Sequence, residues 1–361
     1  MSDGASGTGS DPLATRLTEL VGCRYPIVQT GMGWVSGAHL TAATSAAGGF
    51  GILASITMTD EQFREAVRSV KAATDAPFGA NFRAGQPDLD ERIAFATAEG
   101  VRLFSFAGAP TKDAIARIHD AGALVMPTVG ARRHAEKMAE WGVDAVIAQG
   151  GEGGGHTGTV PTSLLLPQVV EAVGADLPVV GAGGFHSGAG LVAALAYGAD
   201  GIAMGTRFLL TAESRVPDAI KGDYTAASVF DTVVTTALDG APQRVIRTDL
   251  IDQLEGSSIV TRLPKAALRA LEFSKLTGTS IRDLWAEGMA MRKSQDLTWS
   301  QLAMAANAPM LIKAALVDGD DSVGVLPTGQ VAGVIDEVPT VAEVIDQIVA
   351  DARATLARLA G

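Results

Sequence analysis

From residue 25 onward the chain alternates between two textures. Short apolar runs occupy residues 25–30, 50–55, 77–82, 101–106, 123–128, 144–149, 178–183 and 201–206. They are apolar throughout rather than alternating with polar positions, the pattern of parallel strands whose sheet is covered by helices. Between them lie stretches of helical composition, among them residues 39–48, 60–74, 90–100, 112–122 and 133–142. Gly100, Gly122, Gly142 and Gly198 stand just before the next strand, where a left-handed residue commonly ends a helix. Eight strand–helix units in a row predict an α/β fold of the (β/α)8, TIM-barrel type. No GxGxxG follows the first strand, which counts against a dinucleotide-binding half-domain; a doubly wound sheet is the alternative architecture.

The rhythm fails after about residue 220. Residues 221–317 read as mainly helical, with an early β-like piece at 228–238, and carry Trp285, Trp299 and several Met. They are expected to form an insertion or small substrate-side lid near the C-terminal end of the barrel. The barrel itself is then assigned to residues 12–220 and 318–361, with an amphipathic helix at 340–361 packing back onto it. Residues 1–11 are small and polar, with no positive or apolar region, and read as a disordered tail rather than a signal peptide.

Composition narrows the function classes. Of 361 residues, 47 % are hydrophobic and 19 % charged, enough to bury a large core. A formal charge of −12 argues against non-specific binding to nucleic acid or anionic membranes, although a local basic pocket for a phosphorylated ligand stays compatible with it. The longest apolar stretches, such as residues 191–205, contain Gly and Asp and fall short of a membrane span. The lone cysteine, Cys23, excludes an internal disulfide framework and a multi-thiolate zinc site, and a reducing cytoplasm fits best.

In a barrel of this kind the chemistry sits at the C-terminal ends of the strands. Those ends read Gln29-Thr30-Gly31-Met32-Gly33, Ala54-Ser55, Asn81-Phe82-Arg83, Gln149-Gly150, Gly181-Ala182-Gly183-Gly184 and Met204-Gly205-Thr206-Arg207. They are rich in Gly and side-chain amides and poor in carboxylates, which suits a planar, phosphate-bearing ligand better than a metal. The glycines of residues 150–158, 181–190 and 204–206 let backbone N–H groups approach an anion. Residues 181–196 also run from strand into helix, so a helix N-terminus is expected to point at the phosphate. Tight βα turns would need glycine too, but two successive strand ends plus the 150–158 loop favour phosphate.

Asn81 and Gln149 are placed to hydrogen-bond the edge of a heteroaromatic ring, as are backbone groups around Met32. His156 and His186 are the histidines within strand-end glycine loops. A histidine there can act as acid, base or electrostatic anchor, or simply bond a turn. His39, His119 and His134 fall on helices and read as surface or packing residues, and no His–carboxylate spacing suggests a metal. Cys23 reads as a buried structural thiol, and Glu152 as either a solvated charge or a loop cap.

Residues 26–55, 148–158 and 178–214, in this order, resemble the nitronate monooxygenase (2-nitropropane dioxygenase-like) flavoproteins, a family that also holds FMN-dependent enoyl reductases of fatty-acid synthesis. The resemblance extends from about residue 15 to residues 329–333 and implies an FMN-binding barrel. Thr30, Gly31, Met32, Asn81, Gln149, Gly154, Gly155, Gly183, Gly184, Met204, Gly205 and Thr206 then match flavin-contacting positions, and His156 matches the histidine of the GGH motif beside flavin and substrate. Two features depart from the nitronate type. Asn81-Phe82-Arg83-Ala84 stands where Asn-Leu-Phe is usual, and Met32-Gly33-Trp34-Val35 replaces a glycine pair. Residues 79–85, 150–158, 297–320 and 329–339 are instead similar to flavoproteins of actinobacterial steroid C/D-ring breakdown, which resemble acyl-CoA dehydrogenases acting on a hydroxylated methyl-indanone carboxyl-CoA thioester.

That resemblance implies removal of the proton α to a thioester by His156 and hydride transfer from Cβ to FMN, with NAD(P)⁺ or another acceptor taking the electrons. Arg83 would stabilise the enolate oxygen or hold a CoA phosphate, or else bridge a surface carboxylate. Arg244, Arg247 and Arg262 are candidates to clamp the nucleotide end of CoA, or else belong to a solvated helical face. The competing readings are O₂-dependent nitronate oxidation, an NAD(P)H-driven enoyl reductase, and a non-catalytic flavin- or phosphate-binding regulator. A homo-oligomer is left open.

Overall fold

A computed structural model describes residues 11–86, 88–256 and 308–361. Arg262, Trp285, Trp299 and the tail at 1–10 lie outside the described residues. The strands in chain order are β1 (Ile27–Gln29), β2 (Phe50–Ala54), β3 (Gly79–Phe82), β4 (Leu103–Phe106), β5 (Leu124–Val129), β6 (Val146–Gln149), β7 (Gly155–His156), β8 (Val179–Ala182), β9 (Gly201–Met204), β10 (Thr232–Thr235) and β11 (Gln243–Ile246). All but β7, β10 and β11 close into one barrel in the order β1-β2-β3-β4-β5-β6-β8-β9. Every neighbour is parallel, and β9 returns to β1 through the pairs Ile27↔Ile202, Val28↔Ala203 and Gln29↔Met204. The eight apolar runs of the sequence are these eight strands, and closure rules out the doubly wound alternative.

The two faces of each strand go to different cores. Ile27, Leu53, Ala80, Phe82, Phe104, Val125, Val146, Val179 and Ile202 face outward into the layer shared with the helices. Val28, Ile52, Leu103, Met126, Ile147, Val180 and Ala203 fill the barrel interior. Leu17 and Val21 of the short helix Arg16–Val21 join that interior cluster and close the floor. Cys23 belongs to it as well; burial pushes its thiol up to about 12, as expected of an inert structural cysteine.

Helix ends follow the rules read from sequence. Gly100, Gly122, Gly142 and Gly198 all have φ between 80° and 87°, the left-handed conformation in which a Cβ would be strained. Helix Asp60–Ala73 opens on a capping box between Thr59 and Gln62, and helix Val341–Ala360 opens on one between Thr340 and Glu343.

The C-terminal helix lies across helix Gly188–Ala196, burying Val341, Val344, Ile345, Ile348, Val349 and Ala352. The approach is closest at Gly188, where an added Cβ would stand 2.2 Å from the amide N of Ala352 and 2.3 Å from the carbonyl O of Ile348. Backbone cannot yield there as a side chain could. Gly188→Ala is therefore expected to destabilise the fold by about 1–3 kcal/mol, measured as a lower midpoint of chemical unfolding. An unchanged midpoint would mean that this helix pair is not tightly docked.

Beyond the barrel, β10 and β11 form an antiparallel hairpin, and β11 pairs in turn with β7, the two-residue strand inside the glycine loop. Leu238, Val245, Ile251, Ala308, Leu311 and Val325 make a small separate core beneath the hairpin. The β-like piece expected at 228–238 thus contains β10, whereas β11 was not foreseen. Among the described residues no helix is long and apolar enough to cross a membrane.

Candidate active site

Side-chain alternation sets the rim. With Val28, Ile52, Leu103, Met126, Ile147, Val180 and Ala203 pointing inward, the next inward position of each strand, two residues on, lies at the C-terminal mouth. For β1, β3, β4, β6 and β9 these positions are Thr30, Asn81, Ser105, Gln149 and Gly205. Asn81 is buried, and its Nδ2 lies 3.3 Å from both the carbonyl and the hydroxyl of Ser105. Gly31 rests against it: a Cβ there would come within 2.3 Å of Asn81 Cβ. Only glycine lets the loop after β1 cross the Asn81 amide so closely.

That loop is held from several sides. Ser36 Oγ accepts from the Met32 N–H at 2.9 Å, and the Trp34 N–H bonds Thr57 Oγ1 at 3.1 Å. Trp34 has φ 66°, the one left-handed non-glycine among the described residues, a strained state that clusters at functional sites. Its indole N–H donates to the Pro309 carbonyl at 3.1 Å, so the chain returning from residues 257–307 is tied to the mouth.

The glycine loop after β6 is neither linker nor free cradle. Gln149 Nε2 donates to the His156 carbonyl at 2.8 Å, which ties the strand-end amide to the glycine loop. Glu152 accepts from the Thr162 N–H at 2.9 Å and the Thr162 hydroxyl at 2.7 Å, capping helix Thr162–Val173. Gly155 and His156 pair with Arg244 and Gln243 of β11. Gly154 packs on the chain near residue 329: a Cβ there would stand 2.5 Å from the Gly329 N and the Thr328 carbonyl carbon. Thus at Gly154 a second segment presses against the loop, whereas Gly155 faces open space and is held at a left-handed φ of 63°.

Arg244 completes that seam. Its Nη2 and Nε lie 2.9 and 3.3 Å from the Gly151 carbonyl, and its Nη1 lies 3.1 Å from Thr232 Oγ1. A guanidinium so placed is a clip for the glycine loop. Arg247 is exposed and pairs with Asp252 at 2.8 Å. Arg83 is half-buried at the end of β3, three strands around the barrel from β6. Its own N–H bonds Gln86 Oε1 at 3.3 Å.

Anion-binding capacity lies at the ends of β8 and β9. Gly183 and Gly184 have φ of 91° and 82°, and among the described residues the N–H groups of Gly183, Gly184 and Gly205 meet no acceptor. Successive N–H groups freed by left-handed glycines form an anion cradle. A Cβ at Gly183 would come within 3.0 Å of the Gly153 N, so this cradle abuts the glycine loop. Thr206 flanks it, its Oγ1 accepting from the Gly329 N–H at 2.9 Å. The side chain of Met204 instead faces the outer core; its carbonyl accepts from the Thr30 N–H at 3.1 Å.

The helix expected to point at a phosphate does not. The N-terminus of Gly188–Ala196 is capped by Ser187, and its Ala189 N–H donates to Asp351 at 2.8 Å. That end is filled by a carboxylate from the C-terminal helix. His186 nearby is half-buried, and burial with Arg207 close by lowers its pKa; it is absorbed into the packing.

The His156 imidazole meets a buried carboxylate. Its Nε2 lies 2.8 Å from Oδ2 of Asp239, whose side chain is 6 % exposed against 63 % for the imidazole. Asp239 was missed because it lies 83 residues away in a segment without motif. The only sequence trace of it is the β-like piece ending at residue 238. His119 likewise bonds a carboxylate, Asp144, at 2.8 Å, on the side of the barrel away from the mouth. Among the described residues no cluster could hold a metal.

The known proteins that this chain resembles agree with the closed barrel. The family model described as nitronate monooxygenase matches residues 14–351. A Mycobacterium tuberculosis protein named (3aS,4S,5R,7aS)-5-hydroxy-7a-methyl-1-oxo-octahydro-1H-indene-4-carboxyl-CoA dehydrogenase is 54 % identical over 341 residues, 94 % of this chain and 96 % of that one. Its namesake from Rhodococcus jostii is 55 % identical over 340 residues, with the same coverage. Among solved structures, FabK from Thermotoga maritima superposes with a TM-score of 0.77 at 32 % identity, covering 96 % of this chain and 99 % of its own. A nitroalkane oxidase from Streptomyces ansochromogenes gives 0.73 at 28 %, covering 95 % and 99 %. A family model that spans nearly the whole chain, joined by two dehydrogenases above half identity, shows that the chain belongs to the nitronate monooxygenase family and is an oxidoreductase.

Proposed function

We propose that this protein is an FMN-dependent acyl-CoA dehydrogenase that introduces an α,β double bond into a steroid-derived CoA thioester, with NAD(P)⁺ or another acceptor reoxidising the flavin. The observation that carries this reading is the 54–55 % identity to two dehydrogenases of a bicyclic carboxyl-CoA over nearly their whole length. The donor set fits FMN: the N–H groups of Gly183, Gly184 and Gly205 suit its phosphate. The rim amides Asn81 and Gln149 direct their NH2 groups into the protein and leave carbonyl oxygens to accept from the ring. Thr30, Gly31 and Met32 would line the ring from the β1 side. When bound, FMN supplies the two-electron acceptor.

His156 is the base assigned to the thioester's α-proton. Residues 221–317 are read as a substrate-side lid, and Arg83 on the far rim is the candidate to meet the thioester oxygen or a CoA phosphate. The lone buried thiol accords with work in the cytoplasm. The runner-up reading, nitronate oxidation with O₂, draws on the family match and on more distant relatives named as probable nitronate monooxygenases. Anaerobic reduction separates them. The purified protein is expected to be yellow and to bleach on adding a steroid-derived acyl-CoA. Bleaching by propionate 3-nitronate instead would establish the rival, and bleaching by NAD(P)H alone an enoyl reductase. A protein that takes up no flavin would overturn both.

A further inference from the structure

The His156 ring is gripped on one side only. Asp239, which accepts its Nε2–H, is itself fixed by two more donors: Gln243 Nε2 at 2.6 Å to Oδ2 and the Ala241 N–H at 3.0 Å to Oδ1. Gln243 stands directly opposite His156 in the β11–β7 register, and the Thr157 N–H bonds the Pro242 carbonyl at 3.1 Å. The carboxylate is therefore buried, held by three donors and joined to the histidine by a sheet. An ionised carboxylate only accepts, so Nε2 must carry hydrogen. A neutral imidazole then has its lone pair on Nδ1, and among the described residues nothing donates to that atom.

We infer that Asp239 is a positioning residue that locks His156 in the Nε2–H tautomer, so that Nδ1 is the atom that takes a proton from substrate. In the dehydrogenation proposed above, the Cα–H bond breaks and an N–H bond forms at Nδ1. The electron pair stays on the substrate and becomes the C=C bond as the Cβ hydride leaves to the flavin. The imidazolium so formed keeps its Nε2–H on Asp239, whose negative charge opposes the new positive one. The identity of the proton rests on the dehydrogenase reading; the tautomer does not.

Two measurements on the flavin-loaded protein test this. In a ¹H–¹⁵N spectrum of ¹⁵N-histidine-labelled protein, one ring Nε2–H is expected to be protected from exchange, with a pyridine-like Nδ1 on the same ring. That signal should vanish in His156→Gln, which assigns it among the five histidines, and in Asp239→Leu. A protected proton at Nδ1, or none on this ring, would overturn the lock. In turnover, Asp239→Asn is expected to lower kcat by about 100-fold or more with KM and flavin content within about threefold. Asparagine either turns its NH2 toward Nε2, reversing the tautomer, or presents an oxygen without the charge. A kcat within threefold of the parent would remove Asp239 from the chemistry. Should the parent itself fail to turn over acyl-CoA, the dehydrogenase reading falls while the spectrum still decides the tautomer.

Discussion

Replacing His156 by glutamine is expected to lower kcat with the acyl-CoA substrate by about 10²–10⁴-fold, the range supplied by one general base, while FMN stays bound. Flavin retention follows from what holds the loop. The Gln149 bond goes to the backbone carbonyl of residue 156, the pairing to Gln243 is main chain, and Arg244 grips the Gly151 carbonyl. None of these needs the imidazole. Turnover within a few-fold of the parent, at full flavin content, would show that His156 only holds something still. Rapid-reaction measurement of flavin bleaching reads the step directly and separates slow chemistry from slow product release.

Alanine at Gly154 is the second large effect, and it acts through the backbone. Its Cβ would stand 2.5 Å from main-chain atoms of residues 328 and 329. That segment cannot step back freely, because the Gly329 N–H is bonded to Thr206 Oγ1 at 2.9 Å and the Gln330 N–H to the Glu152 carbonyl at 3.0 Å. Relief must come from parting the seam beside the anion cradle. Overpacking of this kind costs about 1–3 kcal/mol, and every 1.4 kcal/mol that falls on the bound state alone is about tenfold in affinity. Gly154→Ala is therefore expected to bind FMN about tenfold more weakly, measured by flavin fluorescence on titration. Gly155→Ala makes the useful contrast: an added Cβ meets nothing within 4 Å, and only the φ of 63° is strained. Equal affinity in the Gly154 variant and the parent would mean that the seam does not support the cofactor site.

The barrel was legible because its determinants are local. Eight buried apolar runs, helices between them and left-handed glycines at their ends can each be read within a dozen residues. The strand-end glycines and amides were legible for the same reason. Asn81 lies at a strand end beside Gly31, and among the described residues the N–H groups of Gly183, Gly184 and Gly205 meet no acceptor. What escaped was everything fixed by remote partners. Nothing near residue 149 says that its NH2 will bond the carbonyl of residue 156. The end of helix Gly188–Ala196 reads as an open anion site until Asp351, 162 residues on, is brought against it. Arg244 looked like a hand for a nucleotide, yet its partner is a carbonyl 93 residues back. Asp239 carries no pattern of its own and acquires meaning only when β11 lies beside β7. Trp34 is legible as bulk, but its left-handed backbone and its bond to Pro309 are properties of the closed mouth.

The seam between the glycine loop and the later chain also sets an order in time. Most barrel strands pair with the next strand along the chain, so they meet contacts as they emerge during synthesis. The loop bearing His156 waits on Asp239 and Gln243, and then on Gln330, whose N–H reaches back to Glu152. A nascent chain halted after residue 220 would hold every barrel strand and no anchored histidine. The glycine loop is thus assembled after its scaffold, and a truncated product would be a barrel with its histidine still untethered.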